Sequence, residues 1–221
     1  MGDRLNDINL GLFLNDNLQP VAQIFVRNKT GYIKTLAKGG ASTTNTLSMY
    51  VDLTSGVKLN GVAKVTTADV MASNGIIHVV DAVIGLPTIV THATANPNFS
   101  TLATLLTTQN LISTLSSSAT PSPFTVFAPL NSAFDTATTS LYGGLTSTQK
   151  TAVLTYHVIG GANVLSTGIP ASSPTLETGI LRFSGATITD EQARVTNIVL
   201  TDVQCSNGII HAVNKVLLPT L

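Results

Sequence analysis

The side chains of this sequence that first suggest chemistry are its four histidines, one of them in the pair Tyr156-His157, and its one cysteine. His78 and His211 each alternate with branched residues, Ile76 and Val80 in one case, Ile209 and Val213 in the other. Each therefore shares a strand face with apolar side chains, the setting of a hydrogen-bonded structural histidine. A metal site would need converging ligands, and the sequence has no H-x-H, H-E-x-x-H or C-x-x-C string. No metal or other cofactor is expected. His92 stands alone and is expected to be exposed. Cys205 would need a base and an electropositive setting to act as a nucleophile. His211 is the nearest candidate base, but the chain has no G-x-S-x-G elbow and no glycine-rich phosphate loop. No catalytic residue is assigned.

Composition narrows the partners. Charged residues make up 10% of the 221 residues and the formal net charge is zero. Nucleic-acid binding needs a basic face and is not expected. A hydrophobic content of 43% opposes intrinsic disorder. A single cysteine cannot form an intrachain disulfide, and the wealth of Ser and Thr over Lys and Glu suits an exported chain. No apolar run approaches the roughly 18 residues of a membrane span, so direct membrane insertion by this segment is not expected. Met1-Gly2-Asp3-Arg4 lacks both a basic and an apolar region. An export signal, if one exists, is expected outside this segment.

The chain repeats itself. Residues Asp69 to Val80 align with Asp202 to Val213 at an offset of 133, from Asn74 to Asn207, and nine of the twelve positions are identical. Both copies run into an apolar stretch ending in proline, Pro87 and Pro219. A period this long indicates tandem globular domains rather than a solenoid. The expected division is residues 1–87 and 88–221.

Within the second unit, Phe99, Leu102, Leu105 and Leu106 recur at helical spacing, as do Leu111, Ile112 and Leu115. Phe124 to Phe127 reads as a strand that Pro129 stops, and Asn131 is placed to N-cap a helix containing Ala133 and Phe134. Thr146-Ser147-Thr148-Gln149 has capping-box form and opens a helix through Tyr156. Strand-like stretches follow at 163–165, 175–176, 180–183, 186–188 and 195–202. Asn207-Gly208 is a two-residue hairpin signal before the strand Ile209 to Val213. Helices first and antiparallel strands after imply an α+β domain.

Three ordered blocks resemble the fasciclin domain family. Phe124 to Phe134, with Phe127, Pro129, Asn131 and Phe134, is similar to its opening motif, although Leu130 replaces the usual Thr. Tyr156-His157 is similar to its central pair, and Asn207-Gly208-Ile209-Ile210-His211-Ala212-Val213 to its second motif. The resemblance covers all of residues 88–221. It implies antiparallel sheets forming a wedge or sandwich with helices at one side, in tandem. The first copy keeps Asn74, Gly75 and His78. Laid on Val153 to Val158, its residues Val21 to Val26 put Ile24-Phe25 where Tyr-His should stand, and no opening motif precedes them. Residues 1–87 are therefore expected to be the C-terminal part of a domain, packing on the second unit or dimerising.

The resemblance implies a non-enzymatic adhesion module, extracellular, cell-surface or periplasmic, whose partner is a surface or matrix protein or a polysaccharide. It ties Tyr156 and His157 to receptor binding. The residues themselves allow a second reading, in which both rings join a helix end to the sheet. A competing function is a secreted small-ligand carrier or hydrolase on the same fold, needing a deep pocket with polar groups around Tyr156, His157 and His211. Asn28-Lys29-Thr30 and Asn98-Phe99-Ser100 are glycosylation sequons, relevant only in a eukaryotic secretory host.

Overall fold

In a computed structural model of the chain, residues 29–221 are described. The expected overlay of Val21 to Val26 on Val153 to Val158 lies outside the described residues.

Between Thr30 and Val80 the chain turns at Gly39-Gly40, across residues 53–57, at Asn60-Gly61 and at Ser73-Asn74, and it forms five strands. These are β1 (Thr30–Gly39), β2 (Ser42–Asp52), β3 (Lys58–Leu59), β4 (Ala63–Ala72) and β5 (Gly75–Val80), hydrogen-bonded in chain order. Neighbours are antiparallel throughout. Ile33, Met49, Val51, Val57, Leu59 and Ala63 form a small core on this sheet.

Helices follow. They are α1 (Ile89–Ala95), α2 (Ser100–Thr108) and α3 (Ile112–Ser116), then, beyond strand β6 (Phe124–Pro129), α4 (Thr136–Gly144) and α5 (Ser147–Tyr156). The Thr146 capping box forms as the sequence predicts. Thr146 Oγ1 accepts from Gln149 N, and Gln149 Oε1 accepts from Thr146 N. The remaining strands are β7 (Val158–Gly160), β8 (Ser172–Pro174), β9 (Ile180–Ser184), β10 (Thr187–Thr189), β11 (Val195–Cys205) and β12 (Gly208–Val213). They join β6 in a seven-stranded sheet of order β7-β6-β12-β11-β10-β9-β8. The domain is α+β, and its strands are antiparallel except for the parallel pair β6·β12.

That pair explains why Phe124 to Pro129 is apolar without alternation: it is covered on both faces. On one side Phe124, Val126, Ala128, Ile210 and Ala212 meet Phe99, Leu102, Leu106 and Leu115 from the helices. On the other, Phe127 and Val213 pack with Tyr156, Leu181, Ile188 and Leu217.

Three local expectations need correction. Residues 163–165 and 175–176 are not strands; Ser172–Pro174 is. Thr125 Oγ1, accepting from Val164 N and donating to Ala162 O, fixes the first segment as a loop. Asn131 does not cap its own helical turn, Asn131–Ala133, whose N-cap is Leu130. Its Oδ1 accepts from Thr101 N and its Nδ2 donates to Pro97 O, so it caps α2. The hairpin loop is Ser206-Asn207, closed by the pair Cys205↔Gly208. Gly208 lies within the strand because a Cβ there would collide with the Phe124 carbonyl.

Candidate functional site

Helix α5 delivers Tyr156 and His157 to the point where the chain enters β7. Both are buried. Tyr156 Oη donates to Ile180 O and accepts from Glu191 N, each at 3.1 Å, and burial pushes its pKa up to about 12. His157 Nδ1 donates to Val153 O at 2.7 Å, and its Nε2 accepts from Leu217 N at 2.9 Å. This uses both ring nitrogens of the neutral form. Burial holds the His157 pKa down to about 4. The pair thus ties the helix end to β9, to the loop before β11 and to the C-terminal segment. Neither ring is presented to solvent, which fits the reading of the pair as a structural joint.

His211 is also consumed. Its Nε2 donates to Val164 O at 2.9 Å, and Nδ1 accepts from Asp202 N at 3.4 Å. The Phe127 ring stacks on it at 5.6 Å. Cys205 is buried, and desolvation raises its thiol pKa well above the ordinary value. A thiolate nucleophile is thereby disfavoured. Phe134 packs against Ala133, Val153 and Val216. His92, expected to be exposed, is instead fully buried, edge-on to Tyr32 at 5.2 Å, with its pKa held down to about 4 by burial. Tyr32 of β1 and Ser48 of β2 are among its neighbours.

Those strands build a seam against the second sheet that sequence reasoning missed. Ser48 Oγ accepts from Gln204 N at 3.0 Å and from Lys34 Nζ at 3.1 Å, and Lys34 Nζ also donates to Asp202 O. Ala41 N donates to Ser206 O, and a Cβ on Gly39 would lie 2.5 Å from Ser206 Cα. A serine beside a lysine can serve as nucleophile and base. Here Ser48 is buried and its oxygen already accepts two hydrogen bonds, so it seals the seam. On the first sheet no motif marks these positions: Lys34 and Ser48 are single residues in long strands, and Gly39 and Ala41 lie at the turn that joins those strands.

The two hairpins of the repeat can be compared pair by pair. In β4·β5 the partners are Val65↔Val80, Thr67↔Val79, Val70↔Ile77, Met71↔Ile76 and Ala72↔Gly75. In β11·β12 they are Ile198↔Val213, Leu200↔Ala212, Val203↔Ile210, Gln204↔Ile209 and Cys205↔Gly208. Every pair is displaced by 133, and both register shifts recur. His78 Nδ1 accepts from Asp69 N at 3.3 Å, repeating the His211–Asp202 contact. The surroundings differ. Asn207 Oδ1 accepts from Ile89 N, and its Nδ2 donates to Leu115 O and Ser117 O, whereas Asn74 is exposed. Ile77 and Val79 are 54% and 45% exposed, against 1% and 0% for Ile210 and Ala212.

Both copies of this hairpin fall inside segments that match one protein family. The family model for the fasciclin domain matches residues 9–87 and 97–219. The chain belongs to the fasciclin domain family. Among curated relatives, "Uncharacterized protein sll1735" of Synechocystis is 34% identical over 139 residues, covering 60% of this chain and 98% of the relative. The "Cell surface glycolipoprotein MPB83" of Mycobacterium bovis is 31% identical over 138 residues, covering 59% of this chain and 60% of the relative. The fold is similar to that of a fasciclin domain pair from the insect cell adhesion molecule Fasciclin I. The TM-score is 0.54 at 21% identity, over 93% of this chain and 76% of that one. Of the positions quoted for the resemblance in this fasciclin chain, Asn131 and Asn207 bond to the helical segments, whereas Phe127 and His211 stack together on the other side of the sheet.

Proposed function

We propose that this chain is a non-enzymatic interaction module of fasciclin type, acting outside the cell or at its surface in adhesion. The observation that carries the reading is that the reactive side chains are spent inside the fold. Tyr156, His157, His211, Cys205 and Ser48 are all buried, and the polar atoms of the two histidines bond to backbone groups. A catalytic site needs such groups facing a substrate. The cavity behind β6 is lined by Ile89, Phe99, Leu102, Leu106 and Leu154, with His157 as its polar member, and lacks the converging polar groups of a ligand site. The names of the mycobacterial relative and of the insect adhesion molecule point the same way. The first unit meets the second through described residues such as Ser48 and Ala41, and the partner is a surface or matrix protein or a polysaccharide, met through largely uncharged contacts. Among the described residues no helix is long and apolar enough to cross a membrane.

Beads carrying the full chain test this. Attachment to cells or matrix above that of beads carrying an unrelated domain of similar size is expected; equal attachment overturns the proposal.

A further inference from the structure

The two hairpins share one backbone but not one environment. Strand β12 is flanked by β11 and by β6, whose parallel register runs from Gly208↔Phe124 to Val213↔Pro129. Its equivalent β5 closes the five-stranded sheet, paired only with β4 among the described residues. An unpaired edge presents backbone donors and acceptors able to take another strand. The apolar residues beside that edge are also uncovered. Ile77 and Val79 match Ile210 and Ala212, which meet Phe124, Val126 and Ala128 in the second module. On β4, Val70 and Met71 are exposed as well. His78 Nε2 has no hydrogen-bond partner among the described residues, whereas the equivalent His211 atom reaches Val164 O.

We propose that β5 accepts, in parallel, a strand of the β6 type from another polypeptide. The segment is extended and uncharged, with a branched residue facing Ile77, a small one facing Val79 and a proline at its end. The occupant is read from the molecule itself, because the same Asn-Gly-Ile-Ile-His hairpin already binds that strand in its second copy. Transferring the register by 133 residues sets Gly75 against the first aromatic, Ile77 against the valine and His78 against the second aromatic. The second aromatic then stacks on His78 as Phe127 stacks on His211. Main-chain pairing supplies affinity and the alternating side chains supply selectivity. The capture of this strand is independent of the adhesion reading, since one is measured in solution and the other by surface attachment.

The test titrates the full chain into a fluorescent peptide of sequence Ser-Pro-Phe-Thr-Val-Phe-Ala-Pro-Leu-Asn and follows anisotropy. Hydrogen exchange of the β5 amides that face away from β4 is measured with and without peptide. Saturable binding is expected, with slowed exchange at those amides. Ile77→Lys should weaken it at least about tenfold, because a charge is placed against an apolar strand. Val62→Lys, exposed but off β5, should leave it unchanged. A peptide with Lys in place of its valine should fail to bind. Absence of saturable binding, or binding indifferent to Ile77→Lys, overturns the proposal. So does protection of the β5 amides in the chain alone, which would mean that another segment already covers them. A concentration-dependent dimer abolished by Ile77→Lys also overturns it, by making a second copy the occupant.

Discussion

Asp69 and Asp202 hold the same left-handed backbone conformation, φ 60° and 61°, one repeat apart. Each donates its N–H to the histidine across its hairpin, at 3.3 Å and 3.4 Å. A non-glycine residue in that region is uncommon, so its recurrence at the same register shift in each copy shows that the bulge is part of the hairpin design. With the backbone held constant, the two copies isolate the effect of what covers them. Truncating Ile210 to Ala should cost about 2–5 kcal/mol, the range for a buried branched side chain. Truncating Ile77 should cost less than about 1 kcal/mol. Chemical unfolding of both variants checks the difference.

The asparagines give a polar version of the same comparison. Asn207 makes three hydrogen bonds to the backbone of α1, α3 and the residue after α3. Removing it leaves buried groups unpaired, at about 1–3 kcal/mol for each one that water cannot reach. Asn207→Ala should therefore lower the unfolding midpoint clearly, while Asn74→Ala shifts stability by no more than about 0.5 kcal/mol.

Acid should destabilise the fold before its carboxylates titrate. His92 and His157 are held neutral by burial, with folded pKa values of about 4 against an ordinary 6.5. As pH falls from 6.5 to 4, the unfolded chain takes up protons that the folded one refuses, so stability falls across that window. Above pH 7 neither group contributes a slope. The Tm at pH 5 should lie below that at pH 7, and His92→Phe should shrink the difference. A Tm unchanged between the two would contradict the neutral, buried assignment.

Cys205 should be inert in the native protein. It is buried, with its thiol pKa raised by desolvation, and thiolate is the form that reacts. A thiol-specific reagent such as Ellman's should leave the folded chain unmodified for as long as it stays folded and titrate one equivalent in denaturant. Fast labelling under native conditions would count against the burial.

Much of the second module could be read from its residues. The capping box at Thr146 and Gln149 and the apolar run Phe124 to Phe127 declare their structures locally, and the repeat announced two related hairpins. What stayed hidden depends on contacts remote in sequence. The parallel pairing of Phe124 with Gly208 reaches across helices α4 and α5 and strands β7 to β11 and carries no periodic signal. Asn131 has the composition of a cap, but the helix that it caps precedes it in the chain. Gly208 suggested a turn residue, whereas its small size is required by the neighbouring Phe124 carbonyl. His92 offered no pattern at all, because neighbours such as Tyr32 and Ser48 are remote from it in sequence. The Tyr156-His157 pair could be located from sequence with two readings, contact site or joint between helix end and sheet, and only the positions of Val153, Ile180, Glu191 and Leu217 reveal that both rings face inward.

The seam of Ser48, Lys34 and Gln204 has a mechanical consequence. Chain connectivity alone would let the two sheets behave as beads on a tether, with tension passing through residues 81–88. With Ser48 clamped to Gln204 and Ala41 to Ser206, the tether is bypassed by a second load path. A pull transmitted through the chain must shear these bonds before the modules can swing apart, so the pair resists force as one lever.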